Sequence, residues 1–205
     1  MTRKLHKKTT LVFGIGINDA DHSVRPTING KQVRCHYYTT WIDMLKRCYS
    51  KKYKESRPTY QGCSVCPEWI SFMNFCKWMM TQDWQGKALD KDLLFEDNKV
   101  YSPTACAFVD RATNNFTIDS GRSRGEYPLG VSFHKHKGKF IAKCSNPFSK
   151  KQEHLGYFTC EHQAHLAWKA RKHILACQLA DLQTDPRVAA ALRTRYLPET
   201  PQQLL

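Results

Sequence analysis

In the run Lys139 to Cys144, the alternation of a β-strand sets Phe140, Ala142 and Cys144 on one face and Lys139, Ile141 and Lys143 on the other. Such a strand offers one side to a core and the other to a cation-seeking partner. Ser132, His134 and Ser145 fall on the cationic side, and Lys135, Lys137, Lys150 and Lys151 stand in the adjoining turns. A narrow sheet of this kind can enter a major groove, its face reading bases while flanking lysines hold phosphates. An ordinary solvated lysine-rich sheet face has the same composition.

Other groupings carry less chemistry. Cys63-Ser64-Val65-Cys66 has the spacing of a zinc ligand pair, with Cys48, Cys76 and Cys106 in the same region. Cys48 and Cys76 lie on apolar helix faces, where thiols serve as packing, so structural zinc is not expected. Gly14-Ile15-Gly16 lacks the third glycine and acidic partner of a dinucleotide fingerprint and reads as a turn or strand segment. His162, His165 and His173 are expected at solvated positions of a long helix.

The 205 residues carry a net charge of +14, from 32 Lys and Arg against 18 Asp and Glu, which makes acidic polymers the natural class of partner. Residues 1–38 hold 7 basic and 2 acidic side chains, residues 39–127 hold 13 and 11, and residues 128–205 hold 12 and 5. Both ends are basic and the middle is balanced. Nine cysteines without a secretory signal point to a reducing compartment, the cytoplasm, and to free thiols. The apolar stretch Leu11 to Ile17 is too short to span a bilayer, so no membrane association is expected.

The elements that must hold the cationic strand divide the chain into five stretches. Residues 1–34 form a basic arm with one hairpin at Asn29-Gly30. Residues 35–117 form an α+β domain. A helix from Thr39, with Thr40 and Asp43 as a capping box, buries Trp41, Met44, Leu45, Cys48 and Tyr49. A polar loop from Ser50 to Arg57 leads to a second helix opened by Pro67, with Trp69, Phe72, Met73, Cys76 and Met80 on its stripe. Leu89 to Leu94 and Val100 to Val109 are extended around the turn Glu96-Asp97-Asn98, before a short helix near Asn114. Residues 118–126 form a linker. In residues 127–181, strands Leu129–Phe133, Lys139–Cys144 and Glu153–Phe158 precede a helix that Thr159 caps, with Ala164, Ala167, Trp168, Arg171 and Ile174 inward until about Ala180. Residues 182–205 hold one more short helix, begun at Asp185-Pro186, and a tail.

Gly130-Val131, Gly138-Lys139-Phe140-Ile141-Ala142, His154-Leu155-Gly156-Tyr157-Phe158-Thr159 and the spacing of Ala164, Ala167 and Trp168 resemble the Apetala-type domain of plant ethylene-response factors and phage homing endonucleases. The resemblance covers residues 127 to about 175. It implies a three-stranded antiparallel sheet packed on one helix, with the exposed sheet face on double-stranded DNA. Carried over by position, the contacts are Ser132, His134, Lys139, Lys143, Ser145 and His154. None is the arginine or tryptophan common in that family, and lysine lacks the rigid fork that pairs with guanine, so backbone contact is the safer expectation.

The order helix, helix, Leu89-Asp90-Lys91-Asp92, Tyr101-Ser102-Pro103-Thr104-Ala105-Cys106 and Asn114-Asn115 is similar to a phage HNH endonuclease, a ββα-metal fold. That resemblance implies Asp90 as first metal ligand, Asn115 or Asn114 as the ligand on the helix, and Mg2+ or Mn2+ as the ion if the site cleaves. Lys91 stands where the family has its base histidine, with Asp92 as the substitute base or second ligand, and Ala105 stands where it has the loop asparagine. A lysine with a pKa of about 10.4 is protonated and takes no proton from water. The expectation is therefore a phage-type protein that binds double-stranded DNA and carries a degenerate nuclease site, in the host cytoplasm. The alternatives are an active metal-dependent endonuclease of the homing type and a basic protein-interaction module.

Overall fold

The computed structural model describes residues 11–118 and 126–197. The arm from Arg3 to Lys8, all but the ends of the expected linker, and the tail beyond Leu197 lie outside the described residues. The described chain forms two compact units, one of residues 11–85 and 89–108, the other of residues 86–88, 109–118 and 126–197. The fold is mixed α+β, with six α-helices and small sheets among the described residues.

In the first unit, β1 (Thr27–Ile28) and β2 (Lys31–Gln32) form an antiparallel hairpin around Asn29 and Gly30, whose positive φ angles the tight turn requires. Helix α1 (His36–Tyr49) starts earlier than expected: the Thr40 hydroxyl donates to the His36 carbonyl at 3.1 Å, so Thr40 is an interior residue rather than a cap. The lysine-rich stretch after it is a helix, α2 (Lys51–Ser56), not a loop. Ser50 caps it, accepting from the Tyr53 N–H at 3.3 Å, and its Lys and Glu residues are good helix formers.

After β3 (Ser64–Val65), a single 3-10 turn occupies Pro67–Ile70, and Ser71 then caps α3 (Phe72–Met80) by accepting from the Asn74 N–H. This break restarts the helical phase, so Phe75 and Met79 enter the core, while Met80, expected inside, is 57% exposed. The core of this unit joins Trp41, Met44, Leu45 and Cys48 of α1 to Phe72, Phe75, Cys76 and Met79 of α3. Inside it the Trp41 indole N–H donates to the Trp69 carbonyl at 2.7 Å, the partner a buried indole requires. Gly16 completes the packing, because a Cβ there would fall 2.3 Å from the Leu45 side chain.

The expected pair of long extended segments is replaced by shorter pieces: β4 (Ala88–Asp90), β5 (Val100–Tyr101), parallel to β3, and β6 (Ala107–Val109). Pro103 and a turn in which Ser102 accepts from the Ala105 N–H interrupt the run between Val100 and Val109.

In the second unit, Asp110 caps α4 (Arg111–Thr117), accepting from the Thr113 N–H at 2.8 Å. Strands β7 (Val131–His134), β8 (Lys139–Ser145) and β9 (Gln152–Phe158) then form an antiparallel sheet in that order, backed by α5 (Glu161–Ala180). The approach is close because small residues meet: Ala142 of β8 and Ala164 of α5 are both fully buried. Trp168 packs on the bare backbone of Gly130, which has φ of 76°.

Two details differ from expectation. Cys160, not Thr159, is the residue before α5, and it gives no side-chain cap. Ile174 is 49% exposed, because the second half of α5 turns its Leu175, Ala176 and Leu179 side toward α6 (Pro186–Arg195), which contributes Val188 and Leu192.

A Cβ at position 130 would lie 2.0 Å from the Trp168 ring, in a backbone conformation that L residues avoid. Gly130→Ala should cost about 2–4 kcal/mol, from backbone strain plus overpacking. Urea unfolding should show the loss, and an unchanged midpoint would refute this account of the helix–sheet seal.

Candidate nucleic-acid interface

Strand register decides which side chains share the face opposite α5. Ser132 lies across from Ile141, His134 from Lys139, Lys143 from His154 and Ser145 from Gln152. All six positions carried over from the family resemblance therefore lie on one face. Ser132, Lys139, Ser145 and His154 are exposed, and His134 and Lys143 half-exposed. Lys135 and Lys137 occupy the 3-10 turn between β7 and β8. His134 accepts from the Lys137 N–H at 3.3 Å, which ties that turn to the sheet.

Ile141 departs from the expected cationic row, being only 7% exposed and flanked in register by Ser132 and Tyr157. It forms an apolar floor beneath a polar rim.

Tyr157 escaped sequence reasoning. Strict alternation from His154 would turn it inward, but the register shifts between Ala142 and Lys143: Ala142 faces Gly156 while Lys143 faces His154, so Leu155 is an extra residue in β9. The bulge inverts the phase and brings Tyr157 to the outer face at 39% exposure. The signal was Gly156, since a glycine inside a strand marks such a bulge, and its φ of 137° is one that other residues avoid. Around Tyr157, the Lys137 ammonium lies 4.0 Å from the ring centroid, His154 packs at 4.8 Å and His134 at 5.8 Å.

The acidic group of this region is turned away. From Pro128 to Phe158 the one carboxylate is Glu153, which takes a two-pronged pair from Arg171 of α5, at 2.6 and 2.9 Å, and a bond from the Asn146 side chain at 2.7 Å. The Arg171 and Asn146 bonds pull its carboxyl down to about 2. Arg171 thus faces inward, as expected.

The candidate nuclease residues are built differently. Asp90 Oδ1 accepts from the N–H groups of Asp92 and Leu93, at 3.0 and 2.7 Å, while burial and the neighbouring Asp92 charge push its carboxyl up. Lys91 is only 6% exposed, and its ammonium donates to Asp92 at 2.9 Å and to the Asn98 carbonyl at 2.8 Å. Burial works most strongly against its charge, but the bond to Asp92 and the charges of Asp92, Cys63 and Asp90 together outweigh it and raise the pKa. The Asn98 amide closes the loop, donating to the carbonyls of Lys91 and Val100.

A divalent ion needs anionic oxygens. Here one oxygen of Asp90 is committed to two amides, and Asp92 is matched by an ammonium. Asn114 and Asn115 lie in the second unit, and exposed Asn115 lines a cleft with Arg111, Lys150, Lys151 and Lys172. Lys91 is held as a buried clamp between Asp92 and the Asn98 carbonyl.

Cys48, Cys63, Cys66, Cys76 and Cys106 are all buried in the first unit's core. Burial pushes the thiols of Cys48 and Cys106 up to about 12 and that of Cys66 up to about 11. Among the described residues no three His, Cys, Asp or Glu side chains come together as a metal set. The helix histidines divide: His162 is exposed, whereas His165 stacks on Trp168 with Nδ1 2.9 Å from the Leu129 carbonyl, and half-buried His173 has Nε2 3.7 Å from Cys177 Sγ. His165 and His173 face packed neighbours instead of solvent. Among the described residues, no helix is long and apolar enough to cross a membrane.

Comparisons with family models, with curated proteins and with solved structures find no match to this chain.

Two pH responses follow. Glu153 has a depressed carboxyl, so its contribution to stability is complete above its ordinary value of 4.5 and is lost as pH falls toward about 2. Acid titration of Glu153→Gln should lack that component; an unaltered profile would show the pair to be without effect. Asp90 has the opposite sign: folding holds its proton more tightly, so stability falls as pH rises from the ordinary value of 3.8 through the raised folded one. Asp90→Asn keeps an oxygen for the two amides and should flatten that decline, read by thermal melts from pH 4 to 7. A steeper decline would contradict the assignment.

Proposed function

We propose that this chain binds double-stranded DNA through the outer face of β7, β8 and β9 without cleaving it. The observation that carries the reading is the sidedness of the sheet's charge: its one carboxylate faces α5 and is paired there, while lysine, histidine, serine and Tyr157 share the outer face. A surface of that make-up attracts a polyanion and has no built-in repulsion. Lys135, Lys137, Lys139 and Lys143 act as point charges on phosphates. Ser132, Ser145, His134, His154 and Tyr157 offer hydrogen-bonding and aromatic groups to base edges.

The resemblance of residues 127–175 to Apetala-type domains, and of residues 35–117 to phage HNH endonucleases, fits the same reading. In it, the chain derives from a DNA-cutting phage protein whose cleavage site has been replaced by the clamp of Asp90, Lys91 and Asn98. What supports non-cleavage is the chemistry of that loop, in which an ammonium paired with Asp92 occupies the place of a base.

A mobility shift on duplex DNA over a salt series tests the reading. Affinity should fall steeply with salt, and Lys139→Gln with Lys143→Gln should reduce the log–log slope by about 0.9 for each phosphate no longer neutralised. Tyr157→Ala should weaken binding and leave the slope in place. Binding that is flat across salt would favour a protein partner instead. Supercoiled plasmid with Mg2+ or Mn2+ should stay intact, and nicking abolished by Asp90→Ala would restore the endonuclease reading.

A further inference from the structure

The second unit contains a cleft of about 900 Å3 between α4 and the turn joining β8 to β9. Arg111, Lys150, Lys151 and Lys172 line it together with the amides of Asn115 and Gln152, and among the described residues no carboxylate contributes to its wall. Among the described residues, none of these four cations has a carboxylate partner. Lys172 instead donates to the Phe116 carbonyl at 2.7 Å, with its ammonium 3.5 Å from the centroid of the Phe116 ring. Burial pushes that ammonium down to about 8, and a nearby anion would help to hold its charge.

The wall is fixed rather than fluid. Asn146 Oδ1 accepts from the N–H groups of Phe148 and Ser149, and the Asn146 N–H donates to the Lys151 carbonyl at 2.9 Å. The cleft is also continuous with the sheet face. Ser145 and Gln152 form the last rung of the β8–β9 ladder, and both line the cleft. A chain-like ligand lying along the outer face would meet the cleft at that rung. Its volume is in the range of sites that enclose a nucleotide-sized group.

We propose that this cleft is a second phosphate-binding site, which takes the sugar–phosphate backbone of the nucleic acid as it leaves the sheet face. The proposal rests on the DNA-binding reading above and adds to it Arg111, Asn115 and Lys172, which lie off the sheet's outer face, and Gln152, which stands at its last rung opposite Ser145. It also gives Asn115 an occupation suited to its surroundings: among four cations an amide can donate to a phosphate oxygen, whereas a metal ion would be repelled.

The test uses the full chain, labelled for amide NMR, with two double variants whose folding is checked by thermal melting. Arg111→Gln with Lys151→Gln alters exposed cleft residues, and Lys139→Gln with Lys143→Gln alters the sheet face. With duplex DNA, the cleft variant should lose affinity, more at low salt than at high, and its slope should fall by about 1.8, about 0.9 for each of two phosphates released. The sheet variant should lower the slope independently, and the Asn115 and Gln152 amides should shift in the wild type. Loss of binding in the sheet variant alone would keep the DNA reading and overturn the cleft. Loss in the cleft variant alone would overturn the sheet face and keep the cleft. Adenosine monophosphate serves as the second probe: if it moves the same amides at concentrations as low as the duplex does, the ligand is a free nucleotide and the backbone assignment falls.

Discussion

The arrangement of the second unit depends on how near α5 can come to its sheet. Trp168 occupies the space that any side chain at position 130 would fill, and Ala164 meets a sheet whose central strand presents Ala142. Bulkier residues at these places would lift the helix and leave voids, which close-packed interiors do not tolerate. Once that contact is made, the sheet has a dry side and a wet side, and every charge in β7 to β9 must choose between them.

That choice produces the electrostatic character of the surface. Glu153 goes to the dry side because Arg171 is there to meet it in a two-pronged pair, and Asn146 supplies a third bond. The lysines go to the wet side, where their ammonium groups keep water. The middle of α5 reinforces the pattern: Lys172 lies near Phe116, Trp168 and Tyr196, tied to a backbone carbonyl and to ring faces rather than to an acid. The sheet thus holds its carboxylate in a structural pair and leaves its cations available.

Much of this was legible in the residues. The lysine alternation in β8, the small residues facing the helix and the turn at Asn29-Gly30 are local patterns, and all three appear where periodicity puts them. What stayed hidden depended on breaks in period. The 3-10 turn before Ser71 re-phased α3, and the extra residue at Leu155 re-phased β9, so Met80 and Tyr157 lie on the sides opposite to those that alternation assigns. The loop of Asp90 and Lys91 was opaque for another reason. An acid–lysine–acid run looks the same whether its lysine is solvated or buried, and only the folded loop, with its bonds to Asp92 and Asn98, distinguishes a clamp from a surface turn. The cleft beside α4 joins residues distant in sequence, which no local pattern could connect.

The single surplus residue in β9 has a wider meaning. Because it lies mid-strand, the portion from Gln152 to His154 and the portion from Gly156 to Phe158 obey opposite parity, odd positions inward in the first and outward in the second. The outward side of the strand is thus spelled in two half-words. The later portion turns Tyr157 outward beside Lys137 while the earlier one keeps Glu153 inward on Arg171, so a single strand furnishes both an exposed ring and a part-buried ion pair.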